Sequence, residues 1–125
     1  MDAIVDTTVV IHLLRRHLPA LAWFNNNQVY GVTSTTWMEV MEGTTGKANQ
    51  AQAKGILDQF EILYLTAADQ VWAMEQLERF QFSHHIGMND CLIASVAYRV
   101  GRPLITHNLK DMTPLIGKLA VKPYA

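Results

Sequence analysis

The chain is short of cysteine, of proline and of charge. Its 125 residues include one cysteine, four prolines and only 17% Asp, Glu, Lys and Arg. With Cys91 alone no internal disulfide can form, so a reducing cytoplasm is the expected compartment. The formal net charge of -1 removes the strongly basic surface that most nucleic-acid binders present, though not a small local patch. No apolar run approaches the ~20 residues of a membrane-spanning helix. The opening Met1-Asp2-Ala3-Ile4-Val5-Asp6 carries acids where a secretory leader carries a basic region. Neither a leader nor a membrane partner is expected. What is present is 50% hydrophobic, enough for one unstapled core in a single domain over residues 1–125.

Short apolar runs alternate with helical periodicity. Ala3-Ile4-Val5 reads as a strand buried on both faces, followed by a helix through Val9, Val10, Leu13 and Leu14 that Pro19 ends. A short helix through Leu21, Trp23 and Phe24 stops at Asn25-Asn26-Asn27. Val29–Val32 is the next strand, and Ser34-Thr35-Thr36 opens a helix that Gly43 and Gly46 close. A polar helix over Asn49–Phe60 leads to a strand at Ile62–Leu65. Thr66 then caps a long helix through Phe80, with an irregular loop at His84–Met88. Asp90–Val100 is an apolar helix stopped by Gly101 and Pro103. Leu104-Ile105-Thr106 makes a fourth strand, and Val121 a short fifth. This alternation predicts an α/β fold, a three-layer α/β/α sandwich with a mainly parallel central sheet.

The functional signal is a set of acids at strand ends. Asp6 ends the first strand, Glu39 follows the second, Asp90 opens the helix after the loop, and Asn108 and Asp111 follow the fourth strand. In a parallel α/β sheet these positions share the carboxyl edge, where ligands bind. Carboxylates gathered there repel: at ~4 Å and an effective dielectric of ~20 each pair costs about 4 kcal/mol. Protonation or a cation must offset that. Hard oxygen donors suit Mg²⁺ or Mn²⁺ rather than zinc, and such a site activates water and stabilises the leaving oxygen of a phosphodiester. Metal-assisted phosphodiester hydrolysis is the reaction class this predicts.

Each acid taken singly also fits a capping role. Thr36-Trp37-Met38-Glu39 reads as a capping box, Asn108-Leu109-Lys110-Asp111 as another, and Asp6 or Asp90 as N-cap or first-turn acids. Asp6 and Asp90, however, are embedded among apolar residues, Ile4-Val5 before one and Leu92-Ile93-Ala94 after the other. Capping alone does not call for that.

Four stretches carry a resemblance: Ile4–Ile11, Thr33–Gly43, Asn89–Ala94 and Pro103–Met112. In order and spacing they resemble the PIN-domain ribonucleases, and among these the VapC toxins of bacterial and archaeal type II toxin–antitoxin pairs. The resemblance implies a Mg²⁺-dependent endoribonuclease that hydrolyses RNA by metal-activated water. It also implies a VapB-like antitoxin that covers or enters the acidic groove, and a homodimer. Position by position, Asp6 and Asp90 match the principal metal-site aspartates and Glu39 the acid after the second strand. Asn108 stands where many relatives have Asp or Asn, with Asp111 in the adjacent position. An amide at 108 leaves one fewer negative charge for a second metal. Thr7 and Thr106 match residues that position the site.

Beside the acids, His107 and Lys110 are candidate RNA contacts in the loop after the fourth strand, and Glu42 is a reserve carboxylate. Adjacent His84 and His85 point apart in an extended loop and make a poor zinc site. Two other readings compete with the ribonuclease. One is a catalytically silent module of the same fold whose acidic crevice binds a basic partner peptide. The other is a DNA-directed nuclease, which the want of a basic groove disfavours.

Overall fold

The computed structural model describes residues 1–125. Strand β1 (Ala3–Val5) lies at the centre of a five-stranded sheet. Its neighbours are β2 (Tyr30–Thr33) and β4 (Leu104–Ile105), with β3 (Glu61–Leu63) and β5 (Ala120–Val121) at the edges. Every pairing is parallel. Successive strands advance from β1 to β3 on one side, and the chain then crosses back to add β4 and β5 on the other. The order therefore reverses at β1, and the β1–β4 pair marks the crevice that such a reversal opens at the carboxyl edge.

Side-chain alternation along the short strands builds two cores. Ala3 and Val5 of β1 face one, with Val9, Val10 and Leu13 of α1 (Thr7–Leu14), Ala20 of α2 (Leu18–Phe24), Val40 of α3 (Ser34–Glu42) and Leu57 of α4 (Lys47–Leu57). Ile4 faces the other, with Ala73 of α5 (Ala67–His84), Ile93 and Ala97 of α6 (Met88–Val100) and Met112 of α7 (Leu109–Ile116). This is the expected three-layer α/β/α sandwich, with the sheet parallel throughout. Both β1 and β2 are buried along their whole length, which is why they read as apolar runs rather than as alternating strands. No helix is long and apolar enough to cross a membrane.

Boundaries move where a cap lacks a side-chain signal. Helix α6 starts at Met88, not Asp90, because Gly87 is its N-cap and makes no side-chain bond. Asp90 thus sits in the first turn rather than at the entry. His84 belongs to α5 and His85 is its left-handed C-cap, so the irregular segment is shorter than the sequence suggests. Strand β3 begins at Glu61 and ends before Tyr64, and α4 runs from Lys47 and ends before Phe60. Thr66 does cap α5, with Asp69 completing a capping box. Asp69 is buried and both its oxygens accept from Arg99 Nε, at 2.9 and 3.1 Å, locking α5 to α6.

Gly31 lets β3 approach β2. A Cβ there would lie 2.7 Å from Met1 Sδ, 2.8 Å from Leu63 Cδ1 and 3.1 Å from the Glu61 carbonyl oxygen. Two of these neighbours are flexible side-chain ends; the backbone oxygen is not. Gly31→Ala should destabilise the fold by about 1 kcal/mol, the overpacking cost less the entropy gained from a stiffer unfolded chain. Urea unfolding measures this, and a midpoint equal to or above the parent's would show that β3 shifts freely.

Candidate functional site

Asp6 is the anchor of the site. It is the N-cap of α1, Oδ1 accepting from the Thr7 N–H at 2.8 Å, and so the capping reading is correct as far as it goes. Its other oxygen, Oδ2, accepts from the Thr106 hydroxyl at 2.7 Å, at the end of β4. The Asp6 N–H donates to the Ile105 carbonyl at 2.9 Å. The side chain is 5% exposed, and no helix cap requires that. Thr106 Oγ1 in turn accepts from the Asn108 N–H at 2.9 Å, which turns the chain from β4 into α7.

Glu39 is not part of a capping box. The N-cap of α3 is Thr33, the last residue of β2, whose hydroxyl oxygen accepts from the Thr36 N–H. The helix therefore begins three residues earlier than a Thr36 cap requires, and Glu39 lies in its second turn, free to reach outward. Its Oε1 accepts from the Thr7 hydroxyl at 2.7 Å and its Oε2 from Asn89 Nδ2 at 3.1 Å. Thr7 spends its single hydroxyl proton on Glu39, so the 3.0 Å contact with Thr36 has Thr36 as donor.

Asp90 and Asp111 meet through Asn108. The Asn108 amide donates to Asp111 Oδ2 at 3.1 Å and, more distantly, to Asp90 Oδ2 at 3.4 Å. Asn108 is the N-cap of α7 but forms no side-chain cap bond; its amide serves the carboxylates instead. One crevice thus gathers Asp6, Glu39, Asp90, Asp111, Asn108, Thr7 and Thr106, with Asn89 and Thr36 added to the residues the sequence picked out. Asn89 gives no signal of its own in the sequence, since only the Gly87 cap shows that it is not the cap of α6.

One expected neighbour, His107, turns away from these groups. His107 packs against His12 (centroids 5.3 Å apart) and Tyr124 (4.6 Å), with its Nε2 buried and unpartnered. Burial, then the nearby His12, Lys122 and His17, hold its imidazole below the ordinary value. Lys110 is exposed on the first turn of α7, and Glu42, also exposed, joins none of the hydrogen bonds above but lines a cleft beside Glu39 and Asn89.

The electrostatics follow from this packing. The chain's two ion pairs, Lys54–Asp58 and Arg99–Asp69, both lie outside the crevice. Every group bonded to the four acids is a neutral hydroxyl, amide or backbone N–H. Burial, foremost, pushes the Asp6 carboxyl above its ordinary value; the bonds from Thr106 and Thr7 pull it back, and the Glu39 charge adds to the rise. Asp90 is pushed up to about 6, by burial first and then by the charges of Asp6, Asp111 and Glu39. No three His, Cys, Asp or Glu side chains already surround one point as metal ligands do. By donor chemistry the set is all oxygen and anionic, which fits a hard divalent cation held by Asp6, Glu39 and Asp90.

An unfolded Asp titrates near 3.8 and folded Asp90 near 6. The folded state binds this proton more tightly, so the associated stability is full below pH 3.8 and is lost as pH rises through about 6. Without divalent cations, Asp90→Asn should raise the unfolding temperature at pH 7.5 and leave it nearly unchanged at pH 3.5. A thermal melt series in EDTA tests this, and an unchanged or lower melting point at pH 7.5 would contradict the repulsion described.

The family model for the PIN domain matches residues 3–111. No curated protein sequence matches the chain significantly. Among solved structures, the chain is similar to a toxin–antitoxin complex from Klebsiella pneumoniae, with 23% identity, a TM-score of 0.80 and 98% of each chain covered. It is also similar to DNA-bound VapBC from Salmonella typhimurium: 21% identity, TM-score 0.79, 98% of this chain and 96% of that one. A third is VapBC2 from Rickettsia felis bound to a promoter DNA fragment, at 22% identity and a TM-score of 0.70, covering 98% and 97%. The identities are low and the shared feature is the fold. The family match runs from the first residue of β1 to Asp111, spanning all four acids of the crevice, and the chain belongs to the PIN domain family.

Proposed function

We propose that the chain is a Mg²⁺-dependent endoribonuclease and the toxin of a VapBC-type toxin–antitoxin pair. The observation that carries this reading is the uncompensated crevice: four carboxylates, one of them 5% exposed, meet at the reversal of strand order with only neutral donors around them. Asp6, Asp90 and Glu39 would hold Mg²⁺, or Mn²⁺ in its place. When bound, the ion supplies Lewis acidity to the phosphodiester oxygens and an activated water.

The chain's own residues do the rest. Thr106 and the Thr7 N–H keep Asp6 in one rotamer, and the Thr7 hydroxyl and Asn89 do the same for Glu39. Asn108 keeps Asp90 and Asp111 together while adding no charge. Single-stranded RNA suits an open crevice of this kind, since its backbone and bases can be presented without opening a duplex. A VapB-like antitoxin and a second copy of the chain are the proposed protein partners. The similar folds solved as VapBC complexes, and the basic peptide that an acidic groove attracts, support the first.

A second reading, a silent module that binds a basic peptide, is favoured by one feature. Asn108 puts an amide between Asp90 and Asp111. Cleavage assays separate the two. Purified protein should cut RNA with Mg²⁺ or Mn²⁺, stop in EDTA, and fall to background as Asp6→Asn or Asp90→Asn. Undiminished cleavage by either variant, or cleavage that persists in EDTA, overturns the metal-ribonuclease assignment. Peptide binding with no cleavage under any divalent ion favours the silent module.

A further inference from the structure

The structure assigns Asn89 a positioning role: its amide sets the orientation of Glu39 and fixes that carboxylate relative to Asp90. The inference rests on the metal reading above and adds a residue to it.

Glu39 and Asp90 come from opposite layers of the sandwich, on α3 and α6. A glutamate on its long side chain loses rotamer freedom when it is fixed, so something must hold it. One oxygen is held by Thr7, whose own hydroxyl is backed by Thr36 within α3. The other is held only by Asn89, at 3.1 Å. Asn89 is therefore the one hydrogen bond from the α6 layer to Glu39. Consecutive residues on a helix diverge by about 100°. Accordingly the first turn of α6 reaches both walls of the crevice, Asn89 toward Glu39 on α3 and Asp90 toward Asn108 at the start of α7. The distance between the two acids is set by this one turn.

Asn89 does nothing else that is visible. It is not the N-cap of α6, which is Gly87, and its side chain makes no other hydrogen bond. Asparagine is also a poorer helix former than alanine. Removing it therefore leaves the fold intact while freeing Glu39, and groups that orient metal ligands typically change metal affinity by about 10- to 100-fold when removed.

The test is a double-mutant cycle read by Mn²⁺ binding, with calorimetry or electron paramagnetic resonance on the protein alone. Asn89→Ala should weaken Mn²⁺ binding by about 10-fold or more, with an unfolding temperature in EDTA equal to the parent's or slightly higher. In a Glu39→Ala background the same change should weaken binding no further, because its route of action is gone. Unchanged Mn²⁺ affinity in Asn89→Ala, with the parent binding normally, overturns the positioning role and leaves the metal reading standing. An equal loss in both backgrounds shows that Asn89 acts other than through Glu39 and also overturns it. A parent chain that binds no Mn²⁺ overturns the metal reading and this inference with it.

Discussion

The hydrogen bonds to the Asp6 carboxylate are the constraint on which the site depends. One oxygen caps α1 and the other receives the Thr106 hydroxyl from the end of β4. A single side chain thus joins the strand at which the sheet order reverses, the helix leaving it and the neighbouring strand. Thr7, whose N–H Asp6 accepts, uses its hydroxyl to hold Glu39, and Thr106, whose hydroxyl Asp6 accepts, receives the N–H of Asn108. The crevice is therefore one connected network built outward from Asp6. Burying this group unpartnered would cost several kcal/mol, and two short bonds reduce that cost without removing the charge.

Capping and function are not alternatives at this position. A carboxylate at a helix N-terminus is favoured by the exposed backbone donors and the dipole, and this makes it tolerable to bury an acid at the switch point. Glu39 is different. Its helix is capped by Thr33, so local structure gives no reason for an acid there. Its partners lie on α1 and α6, and its place in the network comes from tertiary contacts alone.

How much was legible in the sequence follows the range of the interactions. The strands β1 and β2 and the acids that follow them were readable because burial on both faces leaves an apolar run that stops abruptly at a polar residue. The layer order and parallel sheet followed from alternation. The start of α6 was not readable, because a glycine cap leaves no side-chain signal. Nor were the partners of Glu39, since Thr7 and Asn89 are 32 and 50 residues away in the chain. His107 shows the opposite limit. It neighbours two crevice residues in sequence, but successive residues of an extended segment point opposite ways. Thr106 turns to Asp6, and His107 turns to His12 and Tyr124.

The contrast with Asp69 bears on what the crevice is for. Asp69 is also buried, also bound to a helix N-terminus, and its carboxylate is matched by Arg99 with two short contacts. The same chain therefore supplies an arginine where a buried acid serves to cap one helix and join it to another. At the crevice it places four acids and no Lys or Arg against them, and burial first, with the repulsion adding to it, raises Asp90 to about 6. A fold needing only helix caps could lower that repulsion by amide substitution, as Asn108 does at one position. Retaining charge at Asp6, Glu39, Asp90 and Asp111 weakens the empty fold and strengthens its attraction for a cation from outside. That exchange of stability for affinity is the pattern of a binding site, and an oxygen-only donor set is the one that suits the hard divalent ion proposed above.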